Sequence, residues 1–221
     1  CERVYSPWVD LDKIMREEQI PLFALESQDP IKEFDFLGIT IQYEMCDTNI
    51  LQVLDLAQIP LLSKDRTEEH PIVIGGGPCT YNPEPIADFF DIFYIGEGET
   101  RYQDLIDLYR ECREHNLGRV EFLRRAARLP GLYVPMFYEV AYKEDGTIKY
   151  FMPTEKGIPV SIRKEIVMDL SNTNYPMKPI VPYIKVTQDR VVLEIQRGCI
   201  RGCRFCQAGQ LYRPVRERDV E

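Results

Sequence analysis

The chain has 221 residues, room for one large domain or two small ones. A net charge of −9 argues against a general nucleic-acid or membrane-surface binder, and no apolar run approaches a membrane span. Hydrophobic residues at 44% are ordinary for a globular protein; seven cysteines, an odd count with three clustered, do not make a secreted disulfide framework and fit a reducing, cytoplasmic setting.

Trp8 to Met15 has the apolar spacing of an amphipathic helix ended by Pro21, and Leu22 to Leu25 reads as a strand. Phe36 to Ile41 is the next strand, apolar on both faces. Thr48 to Leu56 reads as a helix with a broad apolar face of Ile50, Leu51, Val53, Leu54 and Leu56. Pro71 to Ile74 is a strand that runs into Gly75-Gly76-Gly77-Pro78, and Pro85 to Phe90 is a short helix. Asp91 to Ile95 is a further strand, followed by Gly96-Glu97-Gly98-Glu99. Tyr102, Leu105, Ile106, Tyr109 and Cys112 share one face of the clearest helix, which Gly118 closes, and a second helix runs from Arg119 to Ala127. Apolar strands alternating with helices predict a doubly wound parallel sheet over residues 1–129, covered on both sides. Ligands of such folds bind beyond the C-terminal ends of the strands, which makes Gly75, Gly76, Gly77, Gly96 and Gly98 candidate ligand contacts. Glycine lets backbone approach a ligand closely, though each cluster also reads as a plain turn. His70 and His115 read as surface residues.

Residues 130–190 change character. Prolines 130, 135, 153, 159, 176, 179 and 182 punctuate them, and two short strands flank Asp145-Gly146, a hairpin turn signal. Glu165 to Leu170 is a candidate strand. The segment reads as a connector with its own small β structure.

Residues 191–221 open on Val191 to Ile195, an apolar, β-branched run that predicts a buried strand. Cys199, Cys203 and Cys206 follow at the spacing C-x3-C-x2-C on a tight loop. Three thiolates on one loop can converge on a soft metal centre. An iron–sulfur cube held by three cysteines keeps one iron open. A zinc site needs a fourth ligand, recruited from distant Cys1, Cys46, Cys79, Cys112, His70 or His115. Three reduced thiols without metal are the plainest alternative. Arg197, Arg201, Arg204, Arg213, Arg216 and Arg218 make this stretch basic, fit to meet an acidic electron donor or a phosphate-bearing substrate such as RNA. Glu194, Glu217, Asp219 and Glu221 lie among them and favour an ion-paired or solvated loop.

With Phe205 between its last two cysteines, the loop resembles the C-x3-C-x-Φ-C cluster loop of radical S-adenosylmethionine (radical SAM) enzymes, where Φ is aromatic. That resemblance implies that Cys199, Cys203 and Cys206 bind three irons of a [4Fe–4S] cluster and that Phe205 meets the adenine of S-adenosylmethionine. The fourth iron would chelate the amino and carboxylate groups of that cofactor. An electron from a flavodoxin or ferredoxin would then cleave it to a 5′-deoxyadenosyl radical. Upstream, Phe36–Thr40, Ile72–Pro78 and Tyr94–Glu99 resemble the B12-binding-type, flavodoxin-like domain that precedes many radical SAM cores. This second resemblance implies cobalamin across Gly75, Gly76, Gly77, Gly96 and Gly98, with no axial histidine from this chain and with the domain's first, central strand missing. The full order, including Tyr212 to Arg218, resembles uncharacterised B12-binding-type radical SAM proteins of bacteria, with residues 191–221 as the first strand and cluster loop of a partial βα barrel. The chain opens on Cys1 and stops fifteen residues after Cys206, so it is expected to be the front part of such an enzyme, inactive alone and poorly packed over 191–221. The alternative is a zinc-stapled α/β module that binds a nucleotide or a partner without catalysis.

Overall fold

The computed structural model describes residues 1–174, 176, 178, 181–187 and 190–220, so Pro179 of the connector and Glu221 of the basic stretch lie outside the described residues. Two compact units divide the chain, Cys1–Glu165 and Ile166–Glu221. No described helix is long and apolar enough to cross a membrane.

In the first unit, α1 (Val9–Glu17) precedes β1 (Phe36–Thr40), α2 (Asp47–Leu56) and β2 (Ile72–Gly76). Then come β3 (Ile92–Tyr94), α3 (Tyr102–Glu114), α4 (Arg119–Ala126) and β4 (Leu132–Tyr133). β2 pairs in parallel with β1 on one edge and with β3 on the other, and β4 closes the sheet antiparallel to β3. Side-chain alternation along these strands builds two cores. Val73, Phe93 and Tyr133 face one core with Leu54 and Met15, while Ile72, Ile74, Ile92, Tyr94 and Leu132 face the other with Leu105 and Phe122. Helices therefore cover both faces of a mixed sheet. Local chemistry supports the helices as well. Asp10 and Asp12 sit in the first turn of α1 and Arg16 in its last, matching the helix dipole. The Glu68 carboxylate accepts the first N–H of α4, from Arg119, at 2.6 Å. A hairpin of β5 (Tyr138–Tyr142) and β6 (Ile148–Pro153) follows the sheet, with Asp145 and Gly146 in its loop, and packs Tyr138 and Phe151 near Tyr133.

Several expectations are corrected. The strand order is β1-β2-β3-β4, without the reversal that defines a doubly wound sheet. β2 is hydrogen-bonded on both edges, so the two open inner edges expected of a missing central strand are not there. The chain after β1 and the chain after β2 pack on the same core, through Ile50 and Leu54 and through Ile86 and Phe90, which carries the sheet in one direction. Leu22–Leu25 is not a strand; only Phe23 bridges, to Pro30. Its apolar signal came from Leu22 and Ala24, buried in a loop bounded by prolines that lack the N–H a ladder needs. The short helix before β3 is a 3₁₀ segment, Glu84–Phe89. Of Glu165–Leu170, only Glu165 pairs, as an isolated parallel bridge to Gly96.

In the second unit, Val191–Ile195 is irregular and open to solvent, with Val191 80% and Ile195 70% exposed. An apolar run becomes a buried strand only where flanking parallel strands cover it, and here its apolar side chains stay open to solvent. Order here comes from β7 (Gln196–Arg197), paired antiparallel with β8 (Arg216–Glu217), and a one-turn α5 (Ala208–Leu211) lies between them.

Candidate functional site

The three clustered cysteines lie on the excursion between β7 and β8. All three are free thiols; Cys203 is exposed, and Cys199 and Cys206 are half-buried. The Arg201 N–H donates to the Cys199 Sγ at 3.4 Å, and the Cys206 N–H to the Cys203 carbonyl at 3.1 Å. Among the described residues, no three Cys, His, Asp or Glu side chains gather into a group that would hold a metal ion. Neither an assembled cluster site nor a zinc site with a fourth ligand is therefore built. The donor set nonetheless suits a [4Fe–4S] cluster chemically, with three accessible soft sulfurs on one short loop and a backbone N–H already directed at one of them. Phe205 is 91% exposed, so its ring is unpacked. The basic side chains divide. Arg197 and Arg218 pair with Glu194 at 2.6 and 2.9 Å, and Arg216 is buried, whereas Arg201 and Arg204 are exposed beside the thiols.

A second candidate lies at the C-terminal ends of the parallel strands. A hollow of about 300 Å³ is lined by Thr40, Gly76, Gly77, Gly96, Gly98 and Tyr102, among others. Its position matches the glycine turns, but most of those glycines make room for the chain itself. A Cβ on Gly75 would stand 2.8 Å from the Phe93 ring, and one on Gly77, where φ is +100°, 2.8 Å from the Ile41 carbonyl oxygen. Gly96, at φ +116°, lies against the Glu165 backbone, and a Cβ on Gly98 would meet the Tyr102 ring at 2.5 Å. Glu165 fixes this arrangement. Its N–H donates to the Ile95 carbonyl and its carbonyl accepts the Glu97 N–H, both at 2.9 Å. Tyr102 stacks on Tyr94 with centroids 4.7 Å apart and planes 7° from parallel. Burial raises the pKa of both phenols. Of the five candidate glycines, Gly76 alone leaves room for a Cβ, which would stand at ordinary contact distance, 3.7 Å, from the Tyr102 hydroxyl. Glu165 and Tyr102 thus take up the space beside Gly96 and Gly98, while the hollow itself stays open.

Sequence reasoning missed Tyr102, Tyr94 and Glu165 at this hollow and Gly198 at the cluster loop, and it read Arg216 only as part of a basic stretch. A glycine next to the first cysteine was a readable signal for a tight backbone approach. Nothing local in the sequence marked Glu165 as the partner of Gly96, because that pairing spans most of two helices and a hairpin.

A hollow at the strand ends, helices on both faces and a thiol-rich loop in a separate unit belong to the class of α/β proteins that carry a cysteine loop behind a sheet domain. Residues 1–135 match the family described as radical SAM proteins, N-terminal, and the chain belongs to that family. It is also 29% identical over 209 residues to an uncharacterized protein of Methanocaldococcus jannaschii, an alignment covering 93% of this chain. The chain spans 37% of that protein's length.

Proposed function

We propose that the whole protein is a radical SAM enzyme in which Cys199, Cys203 and Cys206 hold three irons of a [4Fe–4S] cluster and Phe205 lies against the adenine of S-adenosylmethionine. The observation that carries this reading is the C-x3-C-x-Φ-C loop downstream of a domain of the radical SAM N-terminal family. When bound, the cluster supplies one-electron reductive cleavage of S-adenosylmethionine to a 5′-deoxyadenosyl radical. This chain's own residues present the thiols, direct the Arg201 N–H at the Cys199 sulfur and offer an unpacked aromatic ring beside them. Exposed Arg201 and Arg204 suit an acidic reductant of the flavodoxin or ferredoxin class. Free thiols and an oxygen-labile cluster suit the reducing cytoplasm.

Anaerobic reconstitution of the full-length protein with iron and sulfide tests the reading. The expected product is brown, with about four irons per chain, and a triple Cys-to-Ala variant at 199, 203 and 206 loses them. A triple variant with the same iron load sinks the proposal. Stoichiometric zinc without iron in protein purified without oxygen favours the zinc-stapled module instead. Titration of the full-length protein with hydroxocobalamin is expected to leave no corrinoid after desalting, and a stoichiometric retained corrinoid would reinstate the B12-binding-type reading.

A further inference from the structure

The excursion carrying the three cysteines begins and ends at one knot of backbone. Gly198, the residue before Cys199, has φ +89°, and a Cβ there would stand 2.6 Å from both the Tyr212 and the Pro214 carbonyl oxygens. An L side chain is disfavoured by that φ and excluded by those oxygens. Those carbonyls are in turn gathered by Arg216, which is only 6% exposed. Its Nε donates to the Pro214 carbonyl at 3.0 Å, Nη2 to the Tyr212 carbonyl at 3.2 Å and Nη1 to the Val167 carbonyl at 2.7 Å. Arg216 also opens β8, whose pairing with β7 is the ladder that brings the two ends of the excursion together. Next to it, the Arg218 N–H donates to the Ile195 carbonyl at 2.9 Å, and the Asp219 N–H to the Ser171 hydroxyl at 2.8 Å. A buried guanidinium is costly to place unless its donors are paired, and here three donors go to carbonyls, those of Tyr212 and Pro214 at the return end of the excursion and that of Val167.

We propose that Arg216, acting with Gly198, is the positioning residue of the cluster loop: it clasps the Tyr212–Pro214 backbone against Gly198 and so fixes where Cys199 leaves the β7–β8 ladder. Neither residue is a ligand or touches the reacting atoms. The proposal rests on the reading of this loop as a [4Fe–4S] site. It also assigns a role to the Tyr212-Arg213-Pro214-Val215-Arg216 phrase, which is the return half of the clasp. Lysine keeps the charge, but one ammonium cannot span three carbonyls as the planar fork does.

The test uses the full-length protein, anaerobically reconstituted, as wild type, Arg216→Lys, Arg216→Gln and Gly198→Ala. Iron and sulfide are counted, and the reduced cluster is examined by electron paramagnetic resonance with and without S-adenosylmethionine. Wild type is expected to hold about four irons and to change its spectrum on adding the cofactor. The variants keep all three cysteines. The two Arg216 variants and Gly198→Ala are expected to lose about 10-fold or more in cluster affinity or in response to S-adenosylmethionine, with no rescue by lysine. The thermal unfolding of the first unit should be unchanged. Arg216→Gln with full iron and a wild-type spectral response overturns the clasp while leaving the cluster reading intact. Wild type that takes up no iron overturns both.

Discussion

Asp91 ties Arg66, Arg119 and the backbone of Val73 together through one buried carboxylate. Its side chain is 2% exposed, and one oxygen, Oδ2, accepts from Arg66 Nη1 at 3.0 Å, Arg119 Nη2 at 2.7 Å and the Val73 N–H at 2.7 Å. Other donors of the two guanidiniums go to the carbonyls of Pro60, Leu61, Phe89, His70 and Pro71. Burial pulls the Arg66 pKa down, and Asp91 opposes that pull. Asp91→Ala leaves two buried cations without a counter-charge, and a loss of roughly 3–5 kcal/mol is expected in urea unfolding of this chain. A loss under about 1 kcal/mol would show that the arginines re-solvate easily. The cysteines separate on the same physical ground. Burial raises the thiol pKa of Cys79 and of Cys112, which are 6% and 1% exposed. Iodoacetamide at about pH 8 is therefore expected to label Cys199, Cys203 and Cys206 of the metal-free native chain and to spare Cys79 and Cys112. Peptide mapping by mass spectrometry reads this directly, and equal labelling of all five contradicts it.

At the scale of elements, the β7–β8 ladder depends on Glu194. Arg197 first, then Arg218, hold its carboxyl below the usual range. A carboxyl with a lowered folded pKa adds stability above its unfolded value, about 4.3, and that stability is lost as pH falls through the folded value. Amide exchange at Gln196, Arg197, Arg216 and Glu217 should thus accelerate, relative to its intrinsic rate, below about pH 4. Glu194→Gln should already exchange fast at neutral pH and lose the acid step. An acid step of the same size in the variant would place its origin elsewhere. Gly96→Ala meets a positive φ and the Glu165 backbone together, so it is expected to destabilise the first unit by about 1–2 kcal/mol or more and to free residues near 165 to proteolysis. Wild-type stability in this variant would mean that the Glu165 bridge yields cheaply. The elements that the sequence revealed are those whose signal is local. β1, β2, α2, α3 and the hairpin each carry their own periodicity, and Asp145-Gly146 marks its turn. Val191–Ile195 failed because an apolar run states only that burial is wanted, not that neighbouring strands are present to supply it. The glycine turns were located correctly at the strand ends. Their partners, Tyr102 and Glu165, were hidden because a close approach shows which residue yields space, not which one takes it.

At the scale of the molecule, the first unit is a folded sheet domain, and the second is a loop of thiols held at its base by a short ladder. The radical SAM N-terminal family covers residues 1–135, and the cysteine loop lies beyond that match. The radical chemistry proposed above belongs to the full-length protein, and this chain carries a sheet domain and the loop of three cysteines. Val191, Val192, Leu193 and Ile195 are exposed, so the proposed cofactor would draw the walls for its methionine and ribose parts from other parts of the full-length protein. The most direct measurement is 5′-deoxyadenosine release from S-adenosylmethionine under dithionite, followed by chromatography, for the full-length protein, its triple Cys-to-Ala variant and this 221-residue chain, all taken through the same anaerobic reconstitution. The account predicts product from the full-length protein alone. Product from the triple Cys-to-Ala variant at the same rate, or none from a full-length protein loaded with four irons, would contradict it.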